Sequence, residues 1–331
     1  MKSLPTSYTA ARKWGIILLL ALASLGAALL SMSFGSTQVP FSEILTALMG
    51  GETQAYNIVV YARLPHTLAA LLCGSALAVG GVIIQGVLGN PLAGPNIIGV
   101  NAGAGLGAVL CAALIPTSMT AVPVAAFLGA LGACMLVYTL ARRTGASRIT
   151  LVLAGVAISS MLSAAIDAVS ILFPEAALGA GSFMVGRLSG VTVPALLSLL
   201  AGAGAFAMSY ELDLLTLGDE VAQSLGLSAR AARNLLLTLA AVLCGAAVSF
   251  AGLVGFVGLL VPHAARFLVG GEHKYLLAAS LFLGAALVTV CDLAARVLFV
   301  PFELPVGILL SLMGGPFFLW LLFRQRGGRR T

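Results

Sequence analysis

The chain has 331 residues, of which 60% are hydrophobic and only 8% charged, with a mean hydropathy of +1.10. Soluble domains carry about 25% charged residues, so this composition excludes a soluble protein and predicts an all-α integral membrane protein. The formal charge of +6 and pI ≈ 9.3 then reflect topology and attraction to anionic lipid headgroups, with no nucleic-acid partner.

A helix crosses the hydrocarbon core with roughly 20 apolar residues, and its backbone polar groups must be satisfied internally. In chain order, stretches of that kind run over 14–34, 63–86, 96–115, 121–141, 149–173, 191–210, 233–251, 254–270, 276–299 and 305–323. That makes ten predicted spans. The weakest division lies in "SFAGLVGFVGLLVP" (249–262), where no charge intervenes and Gly252, Gly255 and Gly258 signal a reversal or a broken helix. The first run, Trp14 to Phe34, exceeds the apolar region of a signal peptide and ends in "SMSFGS" without an A-x-A site, so it reads as a span.

Lys and Arg concentrate in cytoplasmic loops. With ten spans and a cytoplasmic N-terminus, that side receives Lys2, Arg12, Lys13, Arg142, Arg143, Arg148, Arg230, Arg233, Arg266, Lys274, Arg324, Arg326, Arg329 and Arg330. The other side keeps only Arg63, Arg187 and Arg296, out of 17 in all. Both termini are therefore expected to be cytoplasmic.

Two stretches break the apolar pattern. "GNPLAGPNIIGVNAGAGLG" (89–107) sets Gly89, Pro91, Gly94 and Pro95 beside Asn90, Asn96 and Asn101. Irregular backbone at membrane depth is tolerated only when buried in protein or lining a watery cavity, so the stretch reads as either a pathway element or a tight turn. "SYELDLLTLGDEVAQSLGLSARAARNL" (209–235) is the longest polar stretch. In it Leu217, Val221 and Leu225 fall at i, i+4 and i+8, Asp219 and Glu220 stand near the start, and Gly226 is a plausible stop. An acidic start lacks the basic face that suits lipid, so a protein partner is the expected cover.

The remaining reactive residues point away from catalysis. Cys73, Cys111, Cys134, Cys244 and Cys291 lie within apolar spans without metal-type spacing and read as small packing residues. His66, His263 and His273 are scattered, and no G-x-x-x-x-G-K-[ST] phosphate loop occurs, so no cofactor or metal is expected on this chain. Near the inner end of span eight, Arg266 reads as snorkelling to the interface beside a Pro262 kink. Asp167 and Asp292 lie inside spans, where a carboxylate marks a partner or a pathway. A proton-coupled carrier using both is the rival reading.

Four ordered motifs carry a resemblance: "ARLPHTLAALLCGSALAVGGVIIQGVLGNPLAGPNIIGVNAGAGLGAVL" (62–110), "LGDEVAQSLGL" (217–227), "GFVGLLVPHAARFL" (255–268) and "ELPVGILLSLMGGPFFLWLL" (303–322). Together they resemble the iron-chelate and cobalamin uptake permeases of bacterial ABC importers, from about Arg63 to Phe323. The resemblance implies one permease domain over 1–331 in the inner membrane, paired as a homodimer or close heterodimer. It also implies two cytoplasmic ATPase subunits that use ATP and Mg, and an external substrate-binding protein. By matching position, the loop 211–232 would couple to the ATPase through Leu217, Gly218, Asp219, Glu220, Val221, Leu225 and Gly226. The cytoplasmic gate would hold Asn90, Leu92, Ala146 and Ser147, with Ala146 departing from the small hydroxyl residue of some relatives. Arg63, His66 and Arg296 would meet the binding protein, His66 replacing an arginine seen in some relatives. The implied cargo is a ferric siderophore or haem, with cobalamin as the alternative.

Overall fold

The computed structural model describes residues 9–35, 37–51, 55–116, 118, 120–143, 148–188, 190–191, 193–299 and 302–327. Among these, all regular structure is helical: α1 (Ala10–Ser33), α2 (Phe41–Leu48), a π-helical turn (Ile58–Arg63) running into α3 (Leu64–Leu88), a 3-10 turn (Pro95–Ile98), α4 (Val100–Leu114), α5 (Ala121–Arg143), α6 (Arg148–Leu172), α7 (Pro174–Met184), α8 (Val193–Ala207), α9 (Ser209–Thr216), α10 (Asp219–Ser224), α11 (Ala229–Ala251), α12 (Val257–Val269), α13 (His273–Val297) and α14 (Val306–Gly327). Among the described residues, six helices are long and apolar enough to cross a membrane: α1, the segment Ile58–Leu88, α5, α6, α11 and α13. Helices α8 and α9 are apolar enough only together and are bent by 57° at their junction, as a broken span or re-entrant segment is, and α4, α12 and α14 are shorter apolar helices. Each of the ten predicted stretches therefore contains a helix.

The bundle is organised around α3. Its flanks are apolar all round and rich in Gly and Ala, the pattern of a helix surrounded by protein. Every residue from Ala76 to Leu88 is buried. Small residues allow three neighbours to touch its backbone. A Cβ at Gly74 would lie 2.0 Å from the Gly284 carbonyl of α13, one at Gly81 would lie 1.9 Å from the Gly258 carbonyl of α12, and one at Gly80 would lie 2.4 Å from the Cys244 sulfur of α11. In lipid, where burying an apolar side chain gains nothing over leaving it in the tails, this closeness is what holds helices together.

Helices α1 and α13 run side by side in the same direction. At their N-terminal ends Lys13 bonds Glu272 at 2.8 Å and stands 4.5 Å over the Tyr275 ring, which Trp14 meets edge-on at 5.5 Å. At the other ends Arg296 donates to the Ser31 hydroxyl at 2.7 Å.

The short helices follow from broken backbone. With 15 residues, α4 is about 22 Å long, short of the ~30 Å hydrocarbon core. The chain before it climbs as irregular 89–99, and its Ile97 carbonyl packs where a Cβ at Gly155 of α6 would come within 1.7 Å. The uncertain division at 249–262 resolves into a break between Ala251 and Val257. Its amides find partners in protein: Leu253 N–H donates to the Phe183 carbonyl at 2.9 Å, and the nearby Gly307 N–H to Gly186 at 3.1 Å. The reversal that the glycines signalled is made by Gly252 at φ +71° and by Phe256, which adopts φ +65°, a conformation rarely taken by a bulky residue.

Gly74→Ala should lower thermal stability in detergent by about 1–3 kcal/mol, the usual cost of forcing a methyl into a filled contact. Gly132→Ala on α5, where a Cβ meets nothing within 4 Å, should leave the melting temperature unchanged or slightly raised. Equal melting of the two variants would remove the α3–α13 crossing from its place in the fold.

Candidate functional site

Three places gather the chain's unusual polar residues. The first is the turn after α3. Gly89 ends the helix in the left-handed region, at φ +59°. Asn90 Oδ1 then accepts from the Leu92 N–H at 2.9 Å, and the Asn90 carbonyl from the Ala93 N–H at 3.0 Å. The carboxamide thus supplies a local partner in place of helix, as Asn does in turns. Asn90 is exposed and Leu92 half-buried. Leu92 borders a cavity of ≈ 120 Å³ shared with Asn96, Phe256 and Leu259. The expected companions Ala146 and Ser147 lie outside the described residues. Phe256 escaped sequence reasoning because only its backbone conformation marks it.

The second place is α6. Its exposed side carries Ser160, Ser163 and Asp167, with Ser159 alongside, so that polar groups recur at i, i+3 and i+7 in an otherwise apolar span. Two adjoining hollows of ≈ 600 and ≈ 350 Å³ open along this face, both bordered by Asn96, Ser159, Ser163 and Asp167, the smaller also by Asn101, Met184 and Leu253. Lipid is a poor cover for such a face, since polar side chains in spans turn to protein or to water. The irregular segments around Asn96 and Leu253 meet the same hollows. Of this lining the sequence marked Asn96, Asn101 and, on α6, Asp167; the Ser-Ser-x-x-Ser-x-x-x-Asp spacing was the signal for the serines.

The third place is the end of the bundle where α1 and α13 finish and α3 begins. Arg63, His66 and Arg296 do come together there, but around internal partners. Arg63 is 6% exposed. Its guanidinium donates to the carbonyls of Met32 at 2.6 Å and Ser33 at 2.9 Å, and to the carbonyl and hydroxyl of Thr37. Met32 and Ser33 are the last residues of α1, at the negative end of its dipole, and Ser33 also accepts from the Val39 N–H, so Arg63 caps that helix and ties down the loop at Thr37. Asp292, 4% exposed, accepts from His66 Nε2 at 2.9 Å and from Arg296 Nε at 3.0 Å. The free surface expected of Arg63 is therefore absent: its charge is spent on α1. The exposed basic residue at this end is Arg187, 3.6 Å from Glu303. Asp167 and Asp292 sit in separate clusters.

At the opposite end of the bundle the predicted amphipathic helix forms as α10, shorter than the 217–227 stretch. Gly218 at φ +105° starts it and Gly226 at φ +85° ends it. Ala222 is fully buried, and Asp219 bonds Arg233 of α11 at 2.6 Å. Leu217, Val221 and Leu225 are 59%, 45% and 58% exposed, so the apolar stripe is bare while Asp219 anchors the helix from the other side. Next to it, Asp213 of α9 accepts from both the backbone N–H and Nδ1 of His273, at 3.0 and 2.6 Å. Leu212 and His273 both press on Gly86, where a Cβ would lie 3.0 Å from each. That contact is three residues before Gly89.

A family described as the FecCD transport family matches residues 19–324. The Fe(3+) dicitrate transport system permease protein FecD of Escherichia coli is 38% identical, over 95% of this chain and all of its own length. The hemin transport system permease protein HmuU of Yersinia pestis is 37% identical, over 95% of this chain and 96% of its own. A solved chain described as an inward-facing metal-chelate type ABC transporter superposes with a TM-score of 0.80 at 28% identity, covering 94% of this chain and 99% of that one. Fold and relatives together define a membrane-spanning permease subunit of an ABC importer. The chain belongs to the FecCD transport family and is a multi-pass inner-membrane protein.

The ion cluster at the end of α13 generates a prediction of its own. Asp292→Ala leaves Arg296 partly buried without its carboxylate and should cost about 3 kcal/mol, as removal of one partner from a buried pair does. Arg296→Leu added to it should restore part of the loss, because the orphaned charge goes too. Thermal melting of both single variants and the double variant reads the coupling; strict additivity would dissolve the pair.

Proposed function

We propose that this chain forms half of a homodimeric pathway that imports an iron chelate, driven by two cytoplasmic ATPase subunits and supplied by an external binding protein. The observation that carries the reading is the polar, open face of α6, a surface suited to an aqueous passage between two subunits. The names of the relatives support the cargo class, being permeases for ferric dicitrate and hemin. The distribution of Lys and Arg supports a cytoplasmic position for both termini, with α10 and the Asn90 turn on that side and Arg187, His66 and Arg296 on the other. A single permease domain over 1–331, with 211–232 as its coupling loop, is part of the same proposal.

On this reading each part has a task. The bare stripe of Leu217, Val221 and Leu225, with Glu220 exposed beside it, enters a cleft on the ATPase. Movement there passes through α9 to His273 and Gly86, and so to the turn at Asn90 and Leu92, which closes the cytoplasmic end of the pathway. Ala146 and Ser147 complete that gate by family position. The binding protein meets the outer face at Arg187 and at the accessible edge of His66, with Arg296 held behind them by Asp292 and Arg63 fixing the end of α1. ATP and Mg belong to the ATPase partner, and this chain binds no cofactor.

Val221→Asp or Glu220→Arg should reduce co-purification of the ATPase about tenfold, since each opposes an apolar or acidic contact at the docking surface. Full recovery of ATPase with intact transport would dismiss α10 as the coupling element. In a chain freed of its native cysteines, Leu92→Cys should cross-link between the two subunits on oxidation, because a disulfide forms only when Cα atoms approach within roughly 7 Å. Cross-linking should stop ATP-driven uptake and leave binding-protein docking intact. If Leu92→Cys never pairs while a control position on the dimer seam does, the gate lies elsewhere.

A further inference from the structure

We propose that the hollow along α6 selects its cargo by charge, admitting neutral or cationic ferric chelates of the hydroxamate type and rejecting anionic ones. The proposal rests on the pathway reading above and narrows its substrate class. The polar groups bordering the two hollows are Asn96, Asn101, Ser159, Ser160, Ser163 and Asp167, and no Lys, Arg or His is among the lining residues. The lining therefore carries one formal negative charge per subunit. A twofold copy doubles it with no compensating cation.

Asn101 Oδ1 and Ser159 Oγ are buried and have no hydrogen-bond partner, and both residues border the smaller hollow. Buried polar atoms are costly to leave unpaired, so the site favours a polar guest or water. Carboxamides and hydroxyls donate as well as accept, so they serve a neutral polar guest of either kind, and discrimination by charge falls to Asp167.

The chemistry of ferric chelates separates on this property. Three hydroxamates give up one proton each and neutralise ferric iron, and a free ammonium on the chelator leaves the complex positive. Three catecholates give up two protons each and leave a trianion; citrate complexes keep free carboxylates, and haem carries two propionates. An anion entering between two carboxylates loses hydration and meets like charge at low dielectric, where repulsion is far stronger than in water.

The test uses the permease with its ATPase in membranes and small charged probes in place of the cargo. All five native cysteines, which are buried, are replaced, and Ser163→Cys is introduced, with Ser160→Cys as the second position should the first fail to assemble. Its rates of reaction are measured with a methanethiosulfonate bearing trimethylammonium and with one bearing sulfonate. A neighbouring carboxylate raises the thiol pKa equally for both reagents, so their ratio, normalised to a free thiol, reports charge alone. The cationic reagent should be favoured about tenfold, the size of effect expected from a unit charge roughly 10 Å away in a partly aqueous hollow. Asp167→Asn should remove the preference and Asp167→Lys should reverse it. Equal normalised rates with Asp167 present would overturn the charge selection while leaving the pathway reading in place. Failure of both cysteines to react with either reagent would remove the water-filled pathway itself, and this inference with it. In cells, uptake should favour a cationic or neutral ferric trihydroxamate over a ferric tricatecholate; preference for the trianion would overturn the proposal.

Discussion

Contact distance between helices is the constraint on which this structure depends. Lipid tails are as apolar as leucine, so helices in a bilayer gain little by turning leucine toward one another. What they gain comes from backbones close enough for dispersion and for weak polar contacts, and α3 provides that at Gly74, Gly80 and Gly81 against three separate neighbours. Once α3 is fixed, α11, α12 and α13 are fixed around it. The breaks at 89–99 and 252–256 are then permissible, because amides they free find protein partners instead of lipid: local ones such as Asn90 in the first, and the Phe183 carbonyl for Leu253 in the second.

The two ends of the bundle use opposite strategies for charge. Where α3 begins, the cations are drawn inward: Arg63 onto the last carbonyls of α1, and Arg296 onto Asp292 and Ser31. Where α10 lies, the polar contacts are placed behind the surface. Asp219 bonds Arg233 and Asp213 bonds His273, which leaves leucine and valine outermost. Through Leu212 and His273 this end of the bundle presses on Gly86 in the last turn of α3, three residues before Gly89.

Much of this architecture was legible in the sequence, because a span announces itself by apolar length and nothing else in the chain imitates it. The ten stretches each hold a helix for that reason, and Gly252 marked the break that hydropathy could not divide. The short helices were less visible. For α7 the signals were Pro174 at its start and Glu175 in the first turn, but Gly and Ala in its middle resemble a loop. Arg63 shows the limit most clearly. The sequence suggested a docking surface for it, yet its partners are carbonyls at and beyond the end of α1, some thirty residues upstream, and helix ends cast no shadow in composition. The serines of α6 are small enough to pass as packing residues; only their common face with Asp167 gives them meaning. Ala146 and Ser147 lie outside the described residues.

The exposed face of α6 also bears on how such a protein is made. A newly inserted protomer carries Asp167 and two serines on the outside of a span, and an ionisable group within a span is costly to leave against lipid. Until something covers that face, the isolated subunit is poorly matched to its own solvent. Its lifetime alone in the bilayer is then governed by mass action: assembly removes the mismatch, while dilution restores it. On the proposed pairing of two copies, the same polar stripe that would line the passage would also set the penalty for staying unpaired.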